Sequence, residues 1–439
     1  LGNLLFSPGQ AAALLFGVFF LLLVLRVPVA VALGLACLPM LALEPQLSLM
    51  LLVQETFNAY NSFILLAVPF FLLTANLMNI GGITDRLVRL SRALVGRLPG
   101  SLAQVNVVLS IFFAGISGSS TADAASQGKI FIDAQIKEGY DPSFSVAITA
   151  VSAVMAVIIP PSILMIVWGG VLTTSIGALF LAGIIPGLLI GLVQMVTVHF
   201  YAVRRGYPTY RSSSLREMMV AFWVSIPALM TPVIIIGGKI FGWFTATESA
   251  AVAVIYAAAL SVLIYREMDL KGVYQALLDT GRLAGVTLFC VGTASAFGWI
   301  MAYYQIPQSL LANMLSWDMN ATTAGLFIAS VFLVVGCFLD AIPAIIIVGA
   351  ILQPLAKSVG MDPVHFAMVG IVSLAFGLVT PPYGLCLMIS CAVANVRMHT
   401  VIKDVIIMLL PMLGVLLLVI IWPQVSLFLP GLISPEMLR

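Results

Sequence analysis

Gly139-Tyr140-Asp141-Pro142 followed by Pro160-Pro161, and Gly360-Met361-Asp362-Pro363 followed by Pro381-Pro382, are one motif written twice at a constant offset of 221 residues. Ser152 and Ser373 obey the same shift, and Ser119 lands on Asp340. Apolar sequence produces chance agreements easily, but a shared Gly-x-Asp-Pro with a Pro-Pro at the same distance is not one of them. The chain therefore carries an internal repeat. Each Pro-Pro lies inside a long apolar run, 143–172 and 364–395, where two prolines remove two amide donors and crowd the preceding turn. Each run is read as a helix broken near its middle. Carbonyls freed in hydrocarbon are costly unless something binds them, and a desolvated cation is such a partner.

The 439 residues are 62% hydrophobic and 8% charged, with a mean hydropathy of +1.16, far from the roughly half-apolar, quarter-charged mix of soluble domains. Apolar runs recur near 10–25, 28–43, 62–80, 143–172, 176–203, 218–238, 247–265, 283–304, 364–395 and 404–429. The fold class expected is an all-α polytopic membrane protein with about ten or eleven transmembrane segments. The run from Gln10 to Leu25 has neither the basic leader nor the cleavage site of a signal peptide, so it is expected to remain a membrane segment. A net charge of +2 leaves no footprint for nucleic acid. Cys37, Cys290, Cys337, Cys386 and Cys391 stand in apolar surroundings without a CxxC, which reads as core filling rather than metal or redox work.

Two further apolar stretches, 100–136 and 320–357, are interrupted at their centres. The first contains Gly115-Ile116-Ser117-Gly118-Ser119-Ser120-Thr121-Ala122-Asp123, with Lys129 and Asp133 following too soon for a second crossing. The second places Gly336, Cys337, Asp340 and Pro343 at mid-stretch, between limbs of roughly 17 residues where a span takes ~20. Both are expected to be re-entrant hairpins. The clusters Arg86/Arg89/Arg92/Arg97, Arg204/Arg205/Arg211/Arg216, Arg266/Lys271/Arg282 and Arg397/Lys403 then share one side, joined by Arg26, Lys129 and Lys137. That side is the cytoplasm, with Lys239, Lys357 and Arg439 opposite. Five crossings separate the two copies, an odd number, so the repeats are expected to be inverted, a transporter signature. The expected organisation is scaffold helices over 1–85, a first transport repeat over 86–203 with a cytoplasmic-side hairpin, and scaffold and arm helices over 204–282. A second transport repeat over 283–403 with a periplasmic-side hairpin and a C-terminal scaffold helix over 404–439 complete it.

At these residues the chain resembles the large membrane subunit (DctM or SiaM type) of tripartite ATP-independent periplasmic (TRAP) transporters. The matching motifs are the Gly115–Asp123 segment, Tyr140-Asp141-Pro142-Ser143-Phe144, Ile159-Pro160-Pro161-Ser162, Phe338-Leu339-Asp340 and Thr380-Pro381-Pro382-Tyr383-Gly384. An aliphatic residue often stands in the family where this chain has Tyr383. The resemblance implies an elevator-type secondary transporter of the bacterial inner membrane that takes up a small organic anion with at least two Na+ per cycle. It also implies two partners, a small four-helix membrane subunit and a periplasmic substrate-binding protein. Candidate sodium-site residues are Ser117, Gly118, Ser119, Ser120, Asp123 and Pro160 in the first repeat, and Gly336, Cys337, Asp340, Gly377, Thr380 and Pro381 in the second. Candidate substrate contacts are Ser119, Thr121, Ser162, Pro343 and Tyr383.

Each candidate has a plainer reading. Serines at 117, 119 and 120 are hard oxygen donors, and equally small residues for close helix packing. Asp123 and Asp340 are the carboxylates placed deep in the hairpins, where charge is expensive and usually functional, although a salt bridge or helix cap is the alternative for each. Thr380, with Gly336 and Gly377 allowing close backbone approach, offers a hydroxyl to a cation or merely shapes a kink. Asp141-Pro142 and Asp362-Pro363 read as N-caps before a proline at the first helical position, and Glu248 as a cap at a helix start. His199, His365 and His399 fall near segment ends without metal-ligand spacing. Gly115-Ile116-Ser117-Gly118 has the GxSG shape of an intramembrane serine protease, but such a nucleophile needs a base and no histidine is placed at mid-membrane. The readings weighed against the TRAP assignment are a channel or scaffold subunit and a sodium-carboxylate carrier that works without a binding protein.

Overall fold

The computed structural model describes residues 5–211, 213–314 and 319–438, so Arg439 lies outside the described residues. Every described element is a helix. The first half runs α1 (Pro8–Val24), α2 (Val29–Leu43), α3 (Met50–Tyr60), α4 (Ala67–Ile80), α5 (Ile83–Val95), α6 (Ser101–Ser117), α7 (Ser120–Lys137), α8 (Pro142–Ala153), α9 (Ile163–Leu172) and α10 (Ile176–Arg205). The second half runs α11 (Leu215–Ile240), α12 (Ala246–Ala259), α13 (Leu270–Tyr303), α14 (Ile306–Met314), α15 (Ala321–Gly336), α16 (Ala341–Ala344), α17 (Ala350–Ser358), α18 (Pro363–Gly377), α19 (Leu385–Ala394), α20 (Met398–Ile421) and α21 (Gln424–Ile433). The protein is an all-α polytopic membrane protein. The shift of 221 carries α6 onto α15, α8 onto α18, α9 onto α19 and α10 onto α20.

The helices differ from the expected runs where the chain breaks or turns polar. Ten or eleven segments were the expectation, yet among the described residues six helical stretches are each long and apolar enough to cross a bilayer, and one of them is Ala341–Ser358, the second limb of the second hairpin, which was expected to be too short to span. The reason is that the broken helices divide into shorter pieces, while Ala67–Ile80 and Ile83–Val95 meet at a 74° bend. Around 404–429 the structure has α20, then a break at Trp422 and Pro423, then α21. The run expected over 283–304 begins thirteen residues earlier, at Leu270, because Asp269 accepts the Gly272 amide at 2.8 Å and starts the helix. Helix α3 has no apolar run to reveal it, since Gln54, Glu55 and Asn58 interrupt its sequence. Glu248 caps as expected: its carboxylate takes the Thr245 amide at 2.7 Å while the Thr245 hydroxyl takes the Glu248 amide at 3.2 Å.

The ends of α20 establish the inversion. Near its start, Asp404 accepts hydrogen bonds from Ser143 at the head of α8 (2.5 Å), Tyr201 (3.1 Å) and Arg205 (3.2 Å). Beyond its end, Ser426 lies 3.2 Å from His365 at the head of α18. The two repeat-related helices thus start near opposite ends of a 24-residue helix, with Asp404 and the C-terminal end at Trp422 about 27 Å apart along its axis. Arginines gather at the Asp404 end. Arg205 pairs with Asp141 at 2.5 Å, Arg86 pairs with Glu267 at 2.7 Å and stacks on Tyr265, and Arg92 stacks on Tyr210, which hydrogen-bonds Glu138. Asp141 corrects one expectation: it precedes Pro142 but makes no cap bond, because Arg205 and Tyr207 take its carboxylate. Asp362 does cap, accepting from Val364 at 2.8 Å and His365 at 3.3 Å.

Candidate functional site

Each broken helix bends at a cis proline pair, Pro160-Pro161 and Pro381-Pro382, and each hairpin tip is bonded to the break of its own repeat. Gly118 turns the first tip with φ +61°, and its carbonyl accepts the Ile163 amide at 3.2 Å. A Cβ there would sit 2.8 Å from the Pro161 carbonyl oxygen, so glycine serves both the left-handed turn and the close approach. In the second repeat the Gly384 amide reaches the Cys337 carbonyl at 3.4 Å. The limb behind it crosses α18 at Gly336 and Gly377, where a Cβ on Gly377 would lie 2.6 Å from the Gly336 Cα. Cys337 Sγ donates back to the Leu333 carbonyl at 3.1 Å and is buried.

The two tips meet at one cavity of about 400 Å³. Gly118, Ser119, Ser120 and Thr121 line it from the first hairpin, and Asp340, Ala341 and Ile342 from the second. Leu72 of α4 and Leu283 and Thr287 of α13 form the facing wall, with Leu378 and Ile389 beside the second break. Ser119 and Asp340, matched by the repeat, are both N-caps of the second limb of their hairpin. The Ser119 hydroxyl lies 3.2 Å from that of Thr121 and 3.5 Å from the Ala122 amide. Asp340 accepts the Ala341 amide at 2.8 Å and remains exposed toward the cavity. Among the described residues no basic side chain lines the space, and Asp340 is its one acidic lining residue.

The other candidates lie behind this surface. Ser117 is buried, with its hydroxyl 3.4 Å from the Ser119 amide. Asp123 is 1% exposed and leaves Oδ2 without a protein partner. It is therefore in the hairpin interior rather than in the cavity wall. Pro160 is buried at the first break and Pro381 half-buried at the second, where the Thr380 hydroxyl donates to the Phe376 carbonyl at 2.7 Å. Of the expected substrate contacts, Ser119 and Thr121 line the cavity while Ser162, Pro343 and Tyr383 do not. Ser162 is buried, donating to the Val157 carbonyl at 2.8 Å and capping α9, and Pro343 is buried inside α16. Tyr383 is half exposed, directly after the cis Pro381-Pro382 pair. Sequence reading passed over Thr287 and Leu72, which sit in ordinary apolar runs and acquire significance only from what packs opposite them.

Residues 16–425 match the family model described as tripartite ATP-independent periplasmic transporter, DctM component. The sialic acid TRAP transporter large permease protein SiaM of Vibrio cholerae is 38% identical over 94% of this chain and 96% of its own length. The C4-dicarboxylate TRAP transporter large permease protein DctM of Pseudomonas aeruginosa is 36% identical over 86% of this chain and 88% of its own. Among solved structures, the YdaH transporter of Alcanivorax borkumensis, at 15% identity, aligns over 90% of this chain and 97% of its own with a TM-score of 0.59, a likeness of fold.

Proposed function

Because the chain belongs to the DctM component family of tripartite ATP-independent periplasmic transporters, we propose that it carries out sodium-coupled uptake of a small organic anion across the bacterial inner membrane. The observation that carries this reading is the single cavity walled by both repeat-related hairpin tips, whose lining charge is the carboxylate of Asp340. An anion entering alone meets a like charge, and at ~4 Å with an effective dielectric near 20 that repulsion is about 4 kcal/mol. Cations held at the two tips reverse the sign of the field, so ion binding precedes and permits substrate binding. Hydroxyls of Ser117, Ser119 and Thr121 and the carbonyls at the two breaks are the hard oxygen donors that suit an alkali cation. The substrate is a small organic anion, such as those of the sialic acid and C4-dicarboxylate permeases named above. A periplasmic binding protein delivers it and a small membrane subunit holds the scaffold, while the hairpins and broken helices move together as the transport body.

Two sodium ions with one monoanion move one net positive charge inward. At about 150 mV that charge supplies roughly 3.5 kcal/mol, and two tenfold sodium gradients add about 2.8 kcal/mol. The total of roughly 6 kcal/mol sustains accumulation of about four orders of magnitude. The test is uptake in proteoliposomes containing this chain and the small subunit. Transport is expected to need external sodium and loaded binding protein together. Equal uptake of free substrate without the binding protein would identify a binding-protein-independent carrier instead, and uptake indifferent to sodium would remove the coupling.

A further inference from the structure

The shift that superposes the two repeats also shows where they differ in polarity. In the first copy Asn106 and Ser110 on α6, Gln127 and Gln135 on α7, and Ser145 and Thr149 on α8 are all fully buried. Their counterparts 221 positions later are Phe327, Val331, Val348, Ala356, Phe366 and Gly370. Four of these six side chains are joined by hydrogen bonds. Asn106 donates to the Thr149 hydroxyl at 2.8 Å, and the Ser110 hydroxyl reaches the Asn106 carbonyl at 2.9 Å and the Gln127 amide oxygen at 2.6 Å. Asp123 precedes Gln127 by four residues and so lies on the same face of α7. From there the face descends through Phe131 to Gln135, toward the end at which α8 starts and the arginines gather.

This buried polar face is also under-satisfied. Asp123 Oδ2, Gln127 Nε2, Asn106 Oδ1, Ser145 Oγ and both polar atoms of Gln135 have no protein partner, whereas among the described residues of α15 to α19 the Ser390 hydroxyl is the one such group. Buried donors and acceptors nearly always find partners, and where protein supplies none, ordered water does. We propose that the first hairpin holds a file of water between α6, α7 and α8, and that this file is the route by which a cation bound at Asp123 leaves to the cytoplasm. The second hairpin, apolar at the matching positions, has no such route, and the ion beside Asp340 leaves through the cavity that Asp340 faces. The ion-release part rests on the sodium-coupled reading. It makes the two cation sites unequal, one served through the hairpin interior and one through the cavity.

Ser110→Cys and Ser145→Cys are close in shape to the native residues, and Val331→Cys is the repeat-matched control for the first. Inside-out vesicles holding the full chain and its small subunit are treated with methanethiosulfonate ethylammonium, and modification is followed at each position by mass spectrometry with the native cysteines in place. The expected result is modification at 110 and 145 at least about tenfold faster than at 331, as thiol reactivity follows access to water, with sodium slowing the reaction at 110. Hydroxyl-radical footprinting of the unsubstituted chain gives a reading independent of any variant's folding: buried Phe131 is oxidised beside the file, and equally buried Phe332 is not. Uptake in right-side-out proteoliposomes of the same complex, with loaded binding protein outside, separates the two possible failures. Sodium-independent uptake overturns the proposed function, whereas sodium-dependent uptake with equal thiol rates, or with Phe131 as unreactive as Phe332, overturns the water file.

Discussion

Asp362 accepts amide hydrogens from Val364 and His365, whereas its repeat counterpart Asp141 gives its carboxylate to Arg205 and Tyr207. Asp362→Ala is expected to cost about 1 kcal/mol, the usual loss of an N-cap. Asp141→Ala should cost less than about 0.5 kcal/mol, since its side chain is 56% exposed and surface ion pairs contribute little. Thermal unfolding in one detergent ranks the two variants, and the opposite order would contradict the assignment of the cap. Arg205→Ala should be more damaging than either, by about 2–3 kcal/mol, because it leaves the nearly buried Asp404 with only Ser143 and Tyr201 as donors. At the hairpin tips, Asp340→Ala and Asp123→Ala are each expected to raise the sodium concentration for half-maximal uptake by about tenfold or more, the effect of losing a close opposite charge in a poorly solvated site. If both variants fold and keep the parent's sodium dependence, these carboxylates are structural.

At the scale of elements, the crossing of α15 and α18 depends on two glycines that touch. Gly377→Ala would place a methyl 2.6 Å from the Gly336 Cα and 2.9 Å from the Leu333 carbonyl oxygen, backbone that cannot turn aside. It should cost at least about 2 kcal/mol through overpacking and push the second hairpin off its broken helix. Gly414 in α20 meets nothing within 4 Å, so Gly414→Ala should raise stability by up to about 1 kcal/mol through helix propensity. Melting temperatures of the pair should move in opposite directions, and parallel shifts would show that the glycine contact is not what holds the crossing. The broken helices and hairpins are legible in the sequence because proline and glycine punctuate otherwise uniform apolar runs. Helix α3 is not, since its amphipathic surface leaves no run to read and no side chain fully buried. The same limit applies to Asp141: an Asp-Pro step signals a cap, but nothing local reveals that Arg205, sixty-four positions away, takes the carboxylate instead.

For the whole molecule, inversion makes a labelling prediction. Cysteines introduced next to Gly139 should react with an impermeant reagent from the cytoplasmic side, and those next to Gly360 from the periplasmic side. Reaction of both from one side would be incompatible with the repeats as folded. The tip residues Gly118 to Thr121 and Asp340 are recognisable as polar atoms stranded in apolar sequence, whereas the wall formed by Leu72, Leu283 and Thr287 depends on packing between distant helices. Ser162, Pro343 and Tyr383 were expected as substrate contacts too, but they do not line the cavity: Ser162 and Pro343 are packed in the interior and Tyr383 lies just past the second break. The length of α20 bears on the bilayer itself. Helix α20 is tied near its start through Asp404 and beyond its end through Ser426, while Leu410, Leu417 and Trp422 are exposed on its outer face. The apolar length between Asp404 and Trp422 is about 27 Å at ~1.5 Å per residue, slightly less than a ~30 Å hydrocarbon core. A helix fastened at both ends cannot tilt freely to absorb a mismatch, so lipid must thin or thicken around it, at a fraction of a kcal/mol per Å. Uptake measured across vesicles of graded acyl-chain length should therefore peak near that thickness and decline on either side, and a flat profile would mean that α20 swings free of its two ties.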